Sequence, residues 1–178
     1  MTDSFLLSIY LNTLKPGKRQ VKSAVLVFHS SPALLERVLR THPEIEFVQL
    51  QINYAATRPD VRQMELTAPT AAFTRIYTTV LRVGELMYAL QNASGLIEDA
   101  SIFLPRLGKV ISSDGSYRDF SEEDENFIQE YREEGGRELL RTGNGQLYLA
   151  SESMHISSTE QASVIRVRFS ERVISEWC

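Results

Sequence analysis

The sequence predicts an α+β domain built on an antiparallel sheet. Short runs alternate apolar and polar residues with the period of two that strands have. Two tight-turn signals, Lys15-Pro16-Gly17 and Gly143-Asn144-Gly145, stand between such runs, as in antiparallel hairpins. Helical stripes are interposed without strict alternation, which argues against a parallel βαβ arrangement. The 178 residues, 43% hydrophobic and 24% charged, are read as one domain over 1–178. A sheet of about five to seven strands packed by one long helix is expected.

The elements follow in order. Phe5, Leu7, Ile9 and Leu11 alternate with Ser8, Tyr10 and Asn12, a strand over 5–14. A turn at 15–19 leads to a second strand over 21–28, and the tip of this hairpin is basic: Lys15, Lys18, Arg19 and Lys22. Ser31-Pro32 opens a helix over 32–41, with Leu34, Leu35, Val38 and Leu39 at helical spacing and Pro43 closing it. Residues 45–54 read as a strand with Val48, Leu50, Ile52 and Tyr54 on one face, and 61–67 as a shorter strand with Met64 and Leu66 inward. The strongest helix spans 69–92. Phe73, Ile76, Tyr77, Val80, Val83, Met87 and Leu90 form its stripe, and Leu81 and Tyr88 widen it, so burial is expected all along. Gly84 inside it costs about 1 kcal/mol against alanine, which a close backbone contact would explain.

Residues 96–120 hold only short apolar runs, Ile102-Phe103-Leu104 and Val110-Ile111, and a turn at Asp114-Gly115. Ser121 caps a helix over 122–134, with acids in its first turn where the dipole favours them. Strands over 139–142 and 146–150 flank Asn144-Gly145. A last strand over 164–170 puts Ile165, Val167 and Phe169 on one face, Arg166 and Arg168 on the other. Val173 and Trp177 are expected to pin the segment after it.

Charge narrows the function. The net charge is -4, but 119–138 alone carries nine acids against two bases, while 1–118 carries thirteen bases against ten acids. The acidic segment repels phosphates, so general nucleic-acid binding is not expected. One cysteine, Cys178, gives neither a disulfide framework nor a cysteine metal cluster. No His-x-x-x-His and no glycine-rich phosphate loop is present, so no metal or cofactor is expected. No apolar run approaches the roughly 20 residues of a membrane span. Asp3 stands where a signal peptide carries a base, so a cytoplasmic location is expected.

Two patterns bear on catalysis. Asp60 and Glu65 are spaced like the acids of a metal-dependent nuclease, but Thr67 stands where that chemistry needs a lysine. His29-Ser30-Ser31 and His155-Ile156-Ser157 each place a hydroxyl two residues after an imidazole, on one face if extended. This pairing resembles the two-histidine phosphoesterase family. The resemblance implies that His29 and His155 pass protons while Ser31 and Ser157 hold a phosphodiester. It covers two tripeptides, and the first departs from the family pattern with polar Ser30 and a following Pro32.

The preferred reading is a non-catalytic protein-interaction protein, with the phosphodiesterase as the alternative. In one form, the chain is an acidic inhibitor or immunity-type partner binder. Glu122, Glu123 and Glu125, with exposed rings at Phe120 and Tyr131, would then carry the contact. In the other, it self-assembles as a viral matrix-like structural protein, with the basic tip (Lys15, Lys18, Arg19, Lys22) against an anionic surface.

Overall fold

The computed structural model describes residues 42–136, 138–141, 146–153 and 162–170, all within one compact unit, Ser30–Trp177. The elements read at 5–14, 21–28 and 32–41 lie outside the described residues, as do Val173 and Trp177. The described elements are α1 (Pro43–Ala56), α2 (Pro59–Leu66), α3 (Phe73–Gln91), β1 (Ile97–Leu104), β2 (Lys109–Ser112), β3 (Tyr117–Asp119), α4 (Glu122–Glu133), β4 (Leu139–Arg141), β5 (Leu147–Glu152) and β6 (Val164–Phe169). The six strands form one antiparallel sheet of order β3-β2-β1-β6-β5-β4. The α+β class and the antiparallel sheet are as the sequence predicts.

Two expected strands are helices. In α1, Ile45, Val48, Ile52 and Ala55 are buried at spacings of three and four, while Leu50 and Tyr54 point outward. The apolar residues of 45–54 fit both periods, and packing on the sheet selects the helical one. Pro43 starts this helix at its first turn. The His42 imidazole accepts from the Glu44 N–H at 3.3 Å, and Glu44 and Glu46 meet the positive end of the dipole. In α2, Pro59 again opens the helix and Val61, Met64 and Glu65 turn inward, leaving Leu66 exposed.

The sheet separates two cores. Ile102, Leu104, Ile111, Leu149, Ile165 and Val167 face α1, α2 and α3. Phe103, Val110, Tyr148, Ala150 and Val164 face α4, which contributes Phe127, Ile128 and Tyr131. Strand alternation sends neighbours to opposite cores, and an irregularity between Ile97 and Asp99 lets Ile97 share the first core with Ala100. The segment 96–120, opaque in sequence, therefore supplies one central strand and a hairpin. Gly115 closes this hairpin with φ 82°, and Gly84 of α3 packs beside it.

A buried carboxylate ties the helical layer to the far end of the sheet. Glu65 is 2% exposed. Its Oε1 accepts from the Ser153 hydroxyl and, at 3.1 Å, from the Ser163 N–H, where β5 ends and β6 begins. Arg106, after β1, donates to the Glu65 carbonyl at 3.3 Å.

Two outcomes are expected. Glu65→Ala strands the Ser153 and Ser163 donors in a dry site and should cost about 2–4 kcal/mol in chemical unfolding; a loss below about 1 kcal/mol would mean the clasp is dispensable. A Cβ on Gly84 would meet Gly115 Cα and Ile111 Cγ2 at 3.9 Å, ordinary contact distance. Gly84→Ala should therefore raise the thermal midpoint, by up to about 1 kcal/mol of stability, and a lowered midpoint would show that the helix needs the bare backbone here.

Candidate functional site

The predicted site residues are placed unequally. Lys15, Lys18, Arg19, Lys22, His29, Ser31, His155 and Ser157 lie outside the described residues. Glu122, Glu123 and Glu125 are exposed on the first turn of α4. The rings expected beside them are not free. Tyr131 is 2% exposed and stacks on Phe127 at 6.2 Å between centroids; burial pushes its phenol up. Phe120 is half-buried and meets the Phe103 ring edge-on at 5.9 Å. Both hold α4 to the sheet, because a twelve-residue helix this acidic docks only through its few large apolar side chains.

The α4 N-terminus shows why its acids differ. Ser121 and Asp124 form a capping box: the Ser121 N–H and hydroxyl donate to Asp124 Oδ2 at 2.9 and 2.7 Å, and the Asp124 N–H donates to the Ser121 oxygen at 3.3 Å. Arg118 of β3 closes the same carboxylate with both guanidinium arms. Burial alone would raise the Asp124 carboxyl, but the Arg118 and Ser121 hydrogen bonds outweigh it and hold it below the ordinary value. Asp124 is thus a structural anchor, while Glu122, Glu123 and Glu125 form a solvated acidic edge.

The helical layer carries a second surface, made largely of residues that periodicity in the sequence places inward, with Phe47 beside them. Phe47, Leu50 and Tyr54 of α1, Leu66 of α2, and Phe73, Tyr77, Leu81 and Tyr88 of α3 are 45–67% exposed. The buried stripe of α3 is narrower than expected, with Val80, Val83, Gly84, Met87 and Leu90 inside. Its other apolar residues form a ridge alongside. Phe73 stacks on Tyr117 and meets Tyr77 edge-on, both at 5.5 Å, so the ridge borders the β2–β3 hairpin. The signal was present in the sequence: α3 is apolar over more of its circumference than one sheet face can cover.

A third cluster lies on the α4 side of the sheet. Arg166 of β6 is 6% exposed, and its guanidinium carbon stands 4.7 Å from the Phe103 ring centre, 4.9 Å from Phe127 and 5.0 Å from Tyr148. Burial lowers its proton affinity, opposed by Tyr148 and Asp99, but a guanidinium stays charged at neutral pH. Asp99 lies 3.8 Å away and accepts hydrogen bonds from the Ser101 and Ser113 hydroxyls instead, at 3.0 and 3.1 Å.

Asp60 pairs with Arg82 at 3.5 Å while Glu65 serves the buried clasp, so the two acids do not share a site. Among the described residues no group of three or more His, Cys, Asp or Glu side chains could hold a metal ion, and no helix is long and apolar enough to cross a membrane. No family model, curated protein or solved structure matches the chain.

The depressed Asp124 carboxyl has a definite pH sign. Its contribution to stability is full above the unfolded value near about 4 and disappears as pH falls through the lower folded value. Asp124→Asn should lower stability at neutral pH by about 1–3 kcal/mol and flatten the acid limb of a midpoint-against-pH curve. A parallel displacement of the whole curve would show that the carboxylate charge is not what matters.

Proposed function

We propose that the chain is a non-catalytic protein-interaction protein that associates with a second copy of itself through the α3 ridge. The supporting observation is the exposure of Phe73, Tyr77, Leu81 and Tyr88 on one helix. Four side chains of this size, each about half exposed, leave on the order of 400 Å² of apolar surface, within the range where such patches serve binding. Aromatic rings are among the residues that protein contacts favour, and Phe73, Tyr77 and Tyr88 supply three of them on this ridge.

Charge favours a copy of the chain as the partner on this surface. The ridge residues are uncharged, so two ridges meet without burying like charges. The α4 edge behaves oppositely: Glu122, Glu123 and Glu125 repel their own copy, which leaves that edge to solvent or to a basic partner. An acidic inhibitor-type contact through α4 is thus physically separate from self-association, on the opposite side of the sheet.

Light scattering across a hundredfold concentration range tests the reading. The mass should rise toward that of a dimer, and Tyr77→Glu with Leu81→Glu should return it to the monomer without loss of fold, weakening association by more than about 2 kcal/mol. Reversal of Glu122, Glu123 and Glu125 to lysine should leave the mass unchanged. A monomer at every concentration, or a mass that responds only to the α4 substitutions, rejects the ridge as a self-contact.

A further inference from the structure

Arg166 is the most demanding side chain in the described structure. A guanidinium carries five N–H donors, and burying them without acceptors is costly. Among the described residues none accepts a hydrogen bond from Arg166, and its Nε is both buried and unpartnered. The rings of Phe103, Phe127 and Tyr148 stabilise the charge through their faces but accept little in the guanidinium plane. Asp99, the nearest carboxylate, stands 3.8 Å from Nη2, beyond hydrogen-bond length, and is engaged by Ser101 and Ser113.

Arg168 repeats the pattern at the rim. It follows Arg166 by two residues on the same strand, so both side chains rise from one face about 7 Å apart. Its Nε is likewise buried without an acceptor among the described residues, and its Nη2 is 3.6 Å from the half-exposed Glu98. Two positive groups on adjacent positions of one face repel each other, and both keep donors unspent. Arg166 lies inside and Arg168 is partly open to solvent, so the pair has a closed end and an accessible one.

We propose that Arg166 and Arg168 form a binding site for a small oxyanion, a carboxylate or a phosphate group. One oxygen would accept from the Arg166 guanidinium and another from the partly exposed Arg168 guanidinium, the arrangement in which paired guanidinium groups hold planar or tetrahedral anions. The aromatic enclosure keeps the Arg166 head fixed, so little side-chain entropy remains to be lost on binding. Asp99, pinned by two hydroxyls, sets the limit on ligand charge: it offsets part of the positive field and disfavours multiply charged anions. This site is on the α4 side of the sheet, away from the α3 ridge, and does not depend on self-association.

The test uses the full chain labelled with nitrogen-15, titrated with inorganic phosphate and, separately, with acetate, replacing chloride at constant ionic strength. The Nε–H signals of Arg166 and Arg168 should move saturably, while those of exposed Arg75 and Arg82 stay in place. Saturation with phosphate alone identifies a phosphate group; saturation with acetate alone identifies a carboxylate. Arg168→Gln, at the partly exposed position, should weaken binding about tenfold or more, the worth of one charge-assisted hydrogen bond. Asp99→Asn should tighten it by removing the nearby negative charge. Shifts that never saturate with either probe, or that appear equally at Arg75 and Arg82, overturn the proposal and leave water as the partner of these donors. Weaker binding in Asp99→Asn also counts against it.

Discussion

The pairing of β1 with β6 is the constraint on which the other elements depend. It joins Ser101 to Arg166 and Ile102 to Ile165, so two segments far apart in the chain become the centre of the sheet. From that pair outward, β2 and β3 extend one wing and β5 and β4 the other. Both cores are defined by the same alternation: Ile102 and Ile165 turn to α1–α3, Phe103 and Val164 turn to α4. A slip of one residue between β1 and β6 would exchange the two sets, placing Arg166 in the aliphatic core and Ile165 beside Phe127. The register is thus protected on both faces at once.

The asymmetry of the two faces explains where polar chemistry collects. Three helices cover the first face with mostly aliphatic side chains, and the buried carboxylate on that side, Glu65, sits at its end between Ser153 and Ser163. Among the described residues one twelve-residue helix, α4, covers the second. Its apolar residues reach Phe103, Tyr148 and Val164, and the sheet beyond is finished by Asp99, Ser101, Ser112 and Arg166. A charged group survives there because aromatic rings and hydroxyls replace part of its hydration.

Legibility differed by element for physical reasons. β5, β6, α3 and α4 were visible because each combines one clear period with a turn or cap signal: Asn144-Gly145 for the hairpin, Ser121 with Asp124 for α4. In α1 the apolar residues satisfy both periods, and Pro43 serves equally well as the stop of one helix and the start of another. α2 was lost because eight residues with three inward positions give little periodicity to measure. The alternation in β6 correctly put Arg166 and Arg168 on one face, yet alternation does not say what covers that face. Likewise Tyr131 and Tyr77 are both tyrosines on apolar stripes, and only the extent of the facing sheet decides that one is enclosed and the other is not.

The Glu65 clasp also sets an order of events during synthesis. Its acceptor and the Ser163 donor are 98 residues apart. At about 5–20 residues per second the ribosome needs on the order of 5–20 s to deliver the second after the first. Within that interval α3 is made and soon meets β1 and β2, whereas α1 waits for β5 and β6, the strands it packs against. The sheet-facing side of α1 therefore spends seconds uncovered, and the chain's exposure to chaperones and to misassembly is greatest before β6 arrives.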